Sequence, residues 1–161
     1  MTVQFTDTDP DFKDFKQLLK DINGTYLKTG WFEHSIQDKR TATSITNSQL
    51  AIIHEYGAEK NGKKFIPERP FVRPSFDNNV EDYVVKIDSA IQKTLAAKDK
   101  QILRTELRQL AIKQKQDQQQ GIRDVTTPQL KSATIKRKKS TKPLIDKAEL
   151  LRSNDFEIGK E

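Results

Sequence analysis

The chain holds two histidines, and each stands beside a glutamate, as Glu33-His34 and His54-Glu55. A histidine next to a carboxylate is the minimum of a general base, and two such pairs brought together could hold zinc. The surroundings argue against both. His54-Glu55-Tyr56-Gly57-Ala58 lacks the second histidine, one helical turn on, that a zinc-protease helix requires. The six glycines are scattered, so no loop is built to cradle phosphates, and no nucleophile turn of the Gly-x-Ser-x-Gly kind occurs. The acidic pairs Asp7/Asp9 and Glu81/Asp82 fall where helices are expected to start, and there they favour the helix dipole. With no cysteine, disulfides and thiolate metal sites are excluded. The expectation is a protein that is not an enzyme, with no catalytic residue, metal ligand or cofactor.

Two other groups of residues carry more. The first is Ile66-Pro67-Glu68-Arg69-Pro70-Phe71-Val72-Arg73-Pro74. Its prolines predict a stiff, extended segment rather than a helix. Arg69, Phe71 and Arg73 on such a segment are either an internal anchor or a direct contact with another subunit. Arg69 is expected to pair with a carboxylate, Glu55 or Glu59. The second group is the basic run Lys136-Arg137-Lys138-Lys139, flanked by Lys131 and Lys142. It is either a surface for phosphate or an acidic partner, or a solvated loop. No aromatic residue is interleaved with it, so stacking on single-stranded bases has no support.

The elements that must position these groups follow from periodicity. Asp9-Pro10 predicts a helix start, and Phe12, Phe15, Leu18, Leu19 and Ile22 form one stripe that Asn23-Gly24 stops. The β-prone residues around Trp31 and Phe32 predict a strand over 28–36, then a loop over 37–44. Thr46 and Gln49 fit a capping box, which predicts a helix over about 47–56 with Gly57 at a left-handed end position. Residues 58–74 are expected to be loop, with turn chemistry at Glu59-Lys60-Asn61-Gly62. After Pro74 the strongest periodicity begins, through Phe76, Val80, Tyr83, Val84, Ile87, Ile91 and Leu95. A break at 96–99 separates it from a second helix through Leu103, Leu107 and Leu110 that stops at Gly121. Thr127-Pro128 predicts another helix start, Asp146 with Glu149 a further one, and Phe156 with Ile158 a short closing strand.

The 161 residues suffice for one domain, divided into an N-terminal helix (1–24), a sheet with the main helix (25–98) and a basic helical and extended part (99–161). Only 34% of residues are apolar, so the core is thin. The charge is uneven: 13 basic and 14 acidic residues up to position 95, then 16 basic and 9 acidic ones. No stretch approaches the roughly 20 apolar residues of a membrane span, and no signal peptide is visible, so a soluble protein of a reducing cytoplasm without membrane contact is expected. The fold class predicted is α+β, a small antiparallel sheet packed against a long central helix, with polar helices and an extended C-terminal segment.

Ile53-His54-Glu55-Tyr56-Gly57-Ala58 followed by the proline–arginine segment 66–74 resembles the tail-completion, or head–tail joining, proteins of tailed phages. Gly30-Trp31-Phe32-Glu33, Leu130 to Lys138, and Lys142-Pro143-Leu144-Ile145-Asp146 with Leu150-Leu151-Arg152-Ser153 are similar to further stretches of that family. The family's Thr-Gly after the aspartate is Lys147-Ala148 here. The resemblance covers about 28–158. It implies a structural virion protein of the neck, assembled in the bacterial host cytoplasm and forming a ring with itself, a hexamer favoured over a dodecamer. It implies partners in the head connector or adaptor and in tail terminator or tube proteins, with non-specific contact to packaged DNA. The assembly candidates are then His54, Glu55, Gly57, Arg69, Phe71 and Arg73, and the basic surface is Lys131, Lys136, Arg137, Lys138, Lys139 and Lys142. The alternative is a basic accessory protein that binds nucleic acid.

Overall fold

A computed structural model of the chain describes residues 10–33, 35, 39–40, 44–138 and 141–161. The elements in order are α1 (Pro10–Ile22), β1 (Thr25–Gly30), α2 (Asn47–Tyr56), β2 (Ala58–Lys60), β3 (Lys63–Ile66), α3 (Val72–Asp77), α4 (Val80–Ala97), α5 (Lys100–Asp124), α6 (Ser132–Lys138), α7 (Glu149–Arg152) and β4 (Asp155–Lys160). The fold is α+β, with a two-stranded antiparallel sheet of β1 and β4 lying on the long helix α5.

Helix α5 is the spine because Leu103, Leu107, Leu110, Ala111 and Ile122 recur at helical spacing and are all buried. Asp99 caps its start, its carboxylate accepting the Gln101 N–H at 2.8 Å. Lys98, in the left-handed conformation, ends α4 and folds it back along α5. The core has a cluster at each end of the spine. Leu103 and Leu107 meet Ala90 of α4, with Ile22 and Ile158 packed against them. At the far end Ile122 meets Ala51, Phe71, Leu144 and Leu150.

Several expectations are corrected. The helix that carries the sheet is α5 and not the one at 75–95. Helix α4 buries only Tyr83, Ala90 and Thr94, and its stripe of Val84 and Ile87 faces outward. The strongest periodicity also conceals a break: a helix begins at Val72, includes Pro74, ends at Asp77 and resumes at Val80. Proline fits there because a first-turn N–H has no partner within the helix, so Pro74 forfeits nothing. Asn79 marks the break by donating from Nδ2 to the Ser75 carbonyl at 2.8 Å.

The first strand is 25–30, not 28–36, because β4 pairs from Thr25↔Lys160 only as far as Gly30↔Asp155. Trp31 then leaves the sheet, donates its indole N–H to the Leu150 carbonyl at 2.8 Å and meets Phe71 edge-on at 5.3 Å. Residues 58–66 form a hairpin rather than a loop, with Asn61 and Gly62 both at positive φ, as two-residue hairpin turns require. Gly121 does not stop α5, which continues to Asp124. It is a close-approach position, where a Cβ would lie 2.6 Å from the Phe71 carbonyl oxygen. Thr127-Pro128 starts no helix, since α6 begins at Ser132 on the Lys131 carbonyl. Asp146 does not cap α7, whose cap is Ala148 at φ 57 and ψ 20.

Other expectations agree. Thr46 and Gln49 make the capping box reciprocally, both bonds at 3.2 Å. Pro10 opens α1 and Ile22 closes it, although Leu18 is the one buried residue of its stripe. Phe156 and Ile158 lie on β4. Asp9 and His34 lie outside the described residues.

Candidate assembly site: a carboxylate lock beside a basic cleft

Helix α2 ends on His54, Glu55 and Tyr56, and its neighbouring residues His54 and Glu55 serve two different places. Glu55 reaches the start of α3 and is 4% exposed. Its Oε2 accepts the N–H of Phe71 at 2.8 Å and of Val72 at 3.0 Å. Its Oε1 accepts the Arg73 N–H at 3.0 Å and the Arg73 Nε–H at 2.9 Å. Arg73 returns a second bond, Nη2 donating to the Glu55 carbonyl at 2.8 Å, and its guanidinium lies 5.0 Å from the centre of the Tyr56 ring. The first N–H groups of a helix have no partner of their own, and the helix dipole favours an anion there. One carboxylate from α2 therefore satisfies the α3 start and the arginine beside it. Burial works to raise the Glu55 pKa, but the three backbone N–H groups and Arg73 prevail and hold it below the ordinary value.

Arg69 does not pair with Glu55 or Glu59. It is buried, its N–H donates to the His54 carbonyl at 2.7 Å, and its Nε donates to the Pro128 carbonyl at 3.0 Å. The carboxylate is drawn instead to the backbone of 71–73, which brings Arg73 within reach and leaves Arg69 to tie the 127–131 loop to α2. Phe71 is 1% exposed within the core cluster of Ile122 and Leu150. Arg69 and Phe71 are thus internal anchors, while Arg73 keeps about half of its side chain in solvent.

Gly57 has positive φ, but with ψ −176 it is not left-handed helical. This region is open essentially to glycine alone. A Cβ there would also stand 2.8 Å from the Ile66 carbonyl oxygen, so the residue lets β3 cross the end of α2.

His54 faces the other way, into a cleft of about 730 Å³ between α2, the β2–β3 hairpin and the 129–150 segment. Six cations line it: Arg40, Arg69, Lys131, Arg137, Lys138 and Lys147. Asp146 and Glu149 are the lining carboxylates, and Glu149 lies 3.6 Å from Arg40. Burial pushes the His54 pKa down to about 4, and Arg69, Lys138 and Arg40 press it in the same direction. His54 Nδ1 is buried without a hydrogen-bond partner among the described residues, whereas Arg40 Nε, which makes no hydrogen bond there either, is ion-paired with Glu149 Oε2.

The basic run divides. Lys131, Lys136 and Arg137 are exposed. Lys138 is half-buried and donates to the Pro143 carbonyl at 3.0 Å and the Lys142 carbonyl at 3.2 Å, and burial lowers its pKa. Lys142 donates to the Arg123 carbonyl at 3.1 Å, in the last turn of α5. Lys139 lies outside the described residues. Sequence reasoning missed Arg40, Lys147 and Phe65 as cleft residues. Phe65 had a signal, an apolar residue in a short run after Asn61-Gly62, but Arg40 had none. Among the described residues no group of three or more His, Asp or Glu is placed to hold a metal, and no helix is long and apolar enough to cross a membrane. No family model, curated protein or solved structure matches the chain.

Proposed function

We propose that the chain is a structural virion protein of a tailed phage or prophage, acting in tail completion and in joining the tail to the head connector as a ring component at the neck. One observation carries this reading. The two stretches on which the resemblance rests, 53–58 and 66–74, meet in space, with Glu55 of the first capping the helix start supplied by the second. Their residue types are thereby tied to one packing unit rather than to a chance string. The open apolar faces support the same reading, since Phe76, Val84 and Val85 stay exposed along α3 and α4. Such faces suit a subunit that neighbours cover.

A ring at the neck requires no catalytic group of its subunits. Its partners are its own copies, the connector and the tail end, and it acts in the virion after assembly in the host cytoplasm. The test is electron microscopy of particles lacking this protein. Separate heads and free tails are expected, and normal joined particles would overturn the reading. A second reading, binding to nucleic acid, is favoured by exposed Lys136 and Arg137 on α6. It predicts salt-dependent DNA affinity of a monomer or dimer, whereas the ring predicts a large mass that depends on concentration.

A further inference from the structure

The cleft beside the lock has a surplus of cations, a buried imidazole nitrogen with no hydrogen-bond partner among the described residues, and an apolar rim. We propose that this cleft binds an acidic peptide segment of a partner protein, with a carboxylate seated toward His54 and an apolar side chain against Phe65. The proposal goes beyond the neck reading, because it fixes the chemistry of the occupant whatever the assembly.

Three observations carry it. First, six cations face two carboxylates, so the concave surface attracts an anion and focuses its field there. Lys131 and Arg137 lie exposed at the edge, where they can steer an approaching acidic chain. Second, His54 Nδ1 is buried and makes no hydrogen bond among the described residues. A buried polar nitrogen left unpaired is costly, and a carboxylate oxygen is the acceptor that relieves it. The neutral imidazole places a proton on Nδ1 in one of its tautomers. Third, Phe65 is 70% exposed on the cleft wall. Leu130 and Leu144 line the same cleft, so an apolar side chain has a place to sit.

A peptide fits these features better than DNA. The volume falls in the range of sites that enclose a small ligand, which is a few residues of peptide. A duplex is wide and rigid and would meet the outer side of α6 instead. Asp146 and Glu149 on the wall would repel phosphates, whereas a peptide can offer its own N–H groups to them.

The test pans a display library of random peptides on the full chain, then measures the enriched peptides by fluorescence anisotropy. Enrichment of sequences that combine Asp or Glu with Leu, Phe or similar residues is expected. The double variant Lys131→Glu with Arg137→Glu should bind them at least about tenfold more weakly, and Phe65→Ser should also weaken them. These side chains are exposed, so the fold should survive, and an unchanged circular dichroism spectrum checks that. In a His34→Gln background the nitrogen resonances of His54 should shift on adding the peptide to otherwise wild-type protein. Enriched peptides without acidic residues, or equal affinity for the double variant, would overturn the proposal. So would random-sequence duplex DNA binding through Lys131 and Arg137 while no acidic peptide is enriched. The neck reading stands or falls on tail attachment, which this assay does not touch.

Discussion

Glu55 and His54 are neighbours on one helix, yet they illustrate opposite uses of a polar side chain. Glu55 is buried and completely engaged, with four hydrogen bonds to its carboxylate from three residues of the α3 start. His54 is partly buried, and its Nδ1 has no partner among the described residues. The lock closes the structure on itself. The cleft keeps a surplus of positive charge and one buried imidazole nitrogen without a partner among the described residues, at a cost in stability. The lesson is that a motif does not act as a unit: adjacent residues within Ile53 to Ala58 face different parts of the fold, one the α3 start and the other the basic cleft.

The contrast can be broken most sharply at the lock. Glu55→Ala strands three helix-start N–H groups and Arg73, and should cost about 3 kcal/mol in denaturant unfolding at neutral pH. Glu55→Gln should cost less, since one acceptor oxygen remains. Because its folded pKa is lowered, the contribution of Glu55 is present above the ordinary carboxylate value of 4.5 and is lost as pH falls through the folded value. The stability gap between wild type and Glu55→Gln should therefore narrow in acid, and a gap that stays constant down to strong acid would contradict the lock.

Gly57 comes next. Its φ and ψ lie outside the left-handed region that favours asparagine, so Gly57→Asn should be no better tolerated than Gly57→Val. Both should destabilise by about 2 kcal/mol or more, through strain and the clash with Ile66. A melting temperature near wild type for Gly57→Asn would show that the backbone relaxes into the left-handed form.

His54 is the cleft's counterpart to Glu55. Its pKa falls from an ordinary 6.5 to about 4, so the unfolded chain takes up a proton in that window and the folded one does not. Stability is therefore whole above pH 6.5 and falls as pH drops toward 4, by up to about 3 kcal/mol. His54→Leu should remove this slope while changing stability at neutral pH by under about 1 kcal/mol, because it deletes an unpaired polar atom. A large loss at neutral pH would mean that His54 belongs to the lock after all.

The smallest effect lies on the far wall of the cleft. Ala148, beside the cleft residues Lys147 and Glu149, occupies a left-handed conformation. Ala148→Gly should stabilise by about 1 kcal/mol, since a Cβ is disfavoured there. No gain in unfolding free energy would show that this turn is not strained.

Local signals were legible wherever neighbours in sequence settle the matter. The capping box of Thr46 and Gln49, the end of α1 at Asn23-Gly24 and the closing strand at Phe156 and Ile158 depend on side chains within a few residues. The helix through Pro74 was not legible, because proline rules speak of helix interiors and Glu55, 16 residues from Phe71, supplies the cap that starts it. The partner of Arg69 was missed for a related reason. Charge complementarity named a carboxylate, but a backbone carbonyl at Pro128 stands closer in the fold.

By itself the sequence determined the α+β class, the amphipathic helices, the basic C-terminal part and the absence of thiol chemistry, because composition and periodicity are properties of the chain. Only the tertiary structure decided which helix carries the sheet, which arginine receives Glu55, and that Arg40, His54 and Lys147 share a cleft. The physical reason is distance along the chain. Burial, competition for one carboxylate and the focusing of charge in a concave surface arise between residues that the sequence holds far apart, and they exist only once the core around Phe71 and Ile122 has brought those residues together.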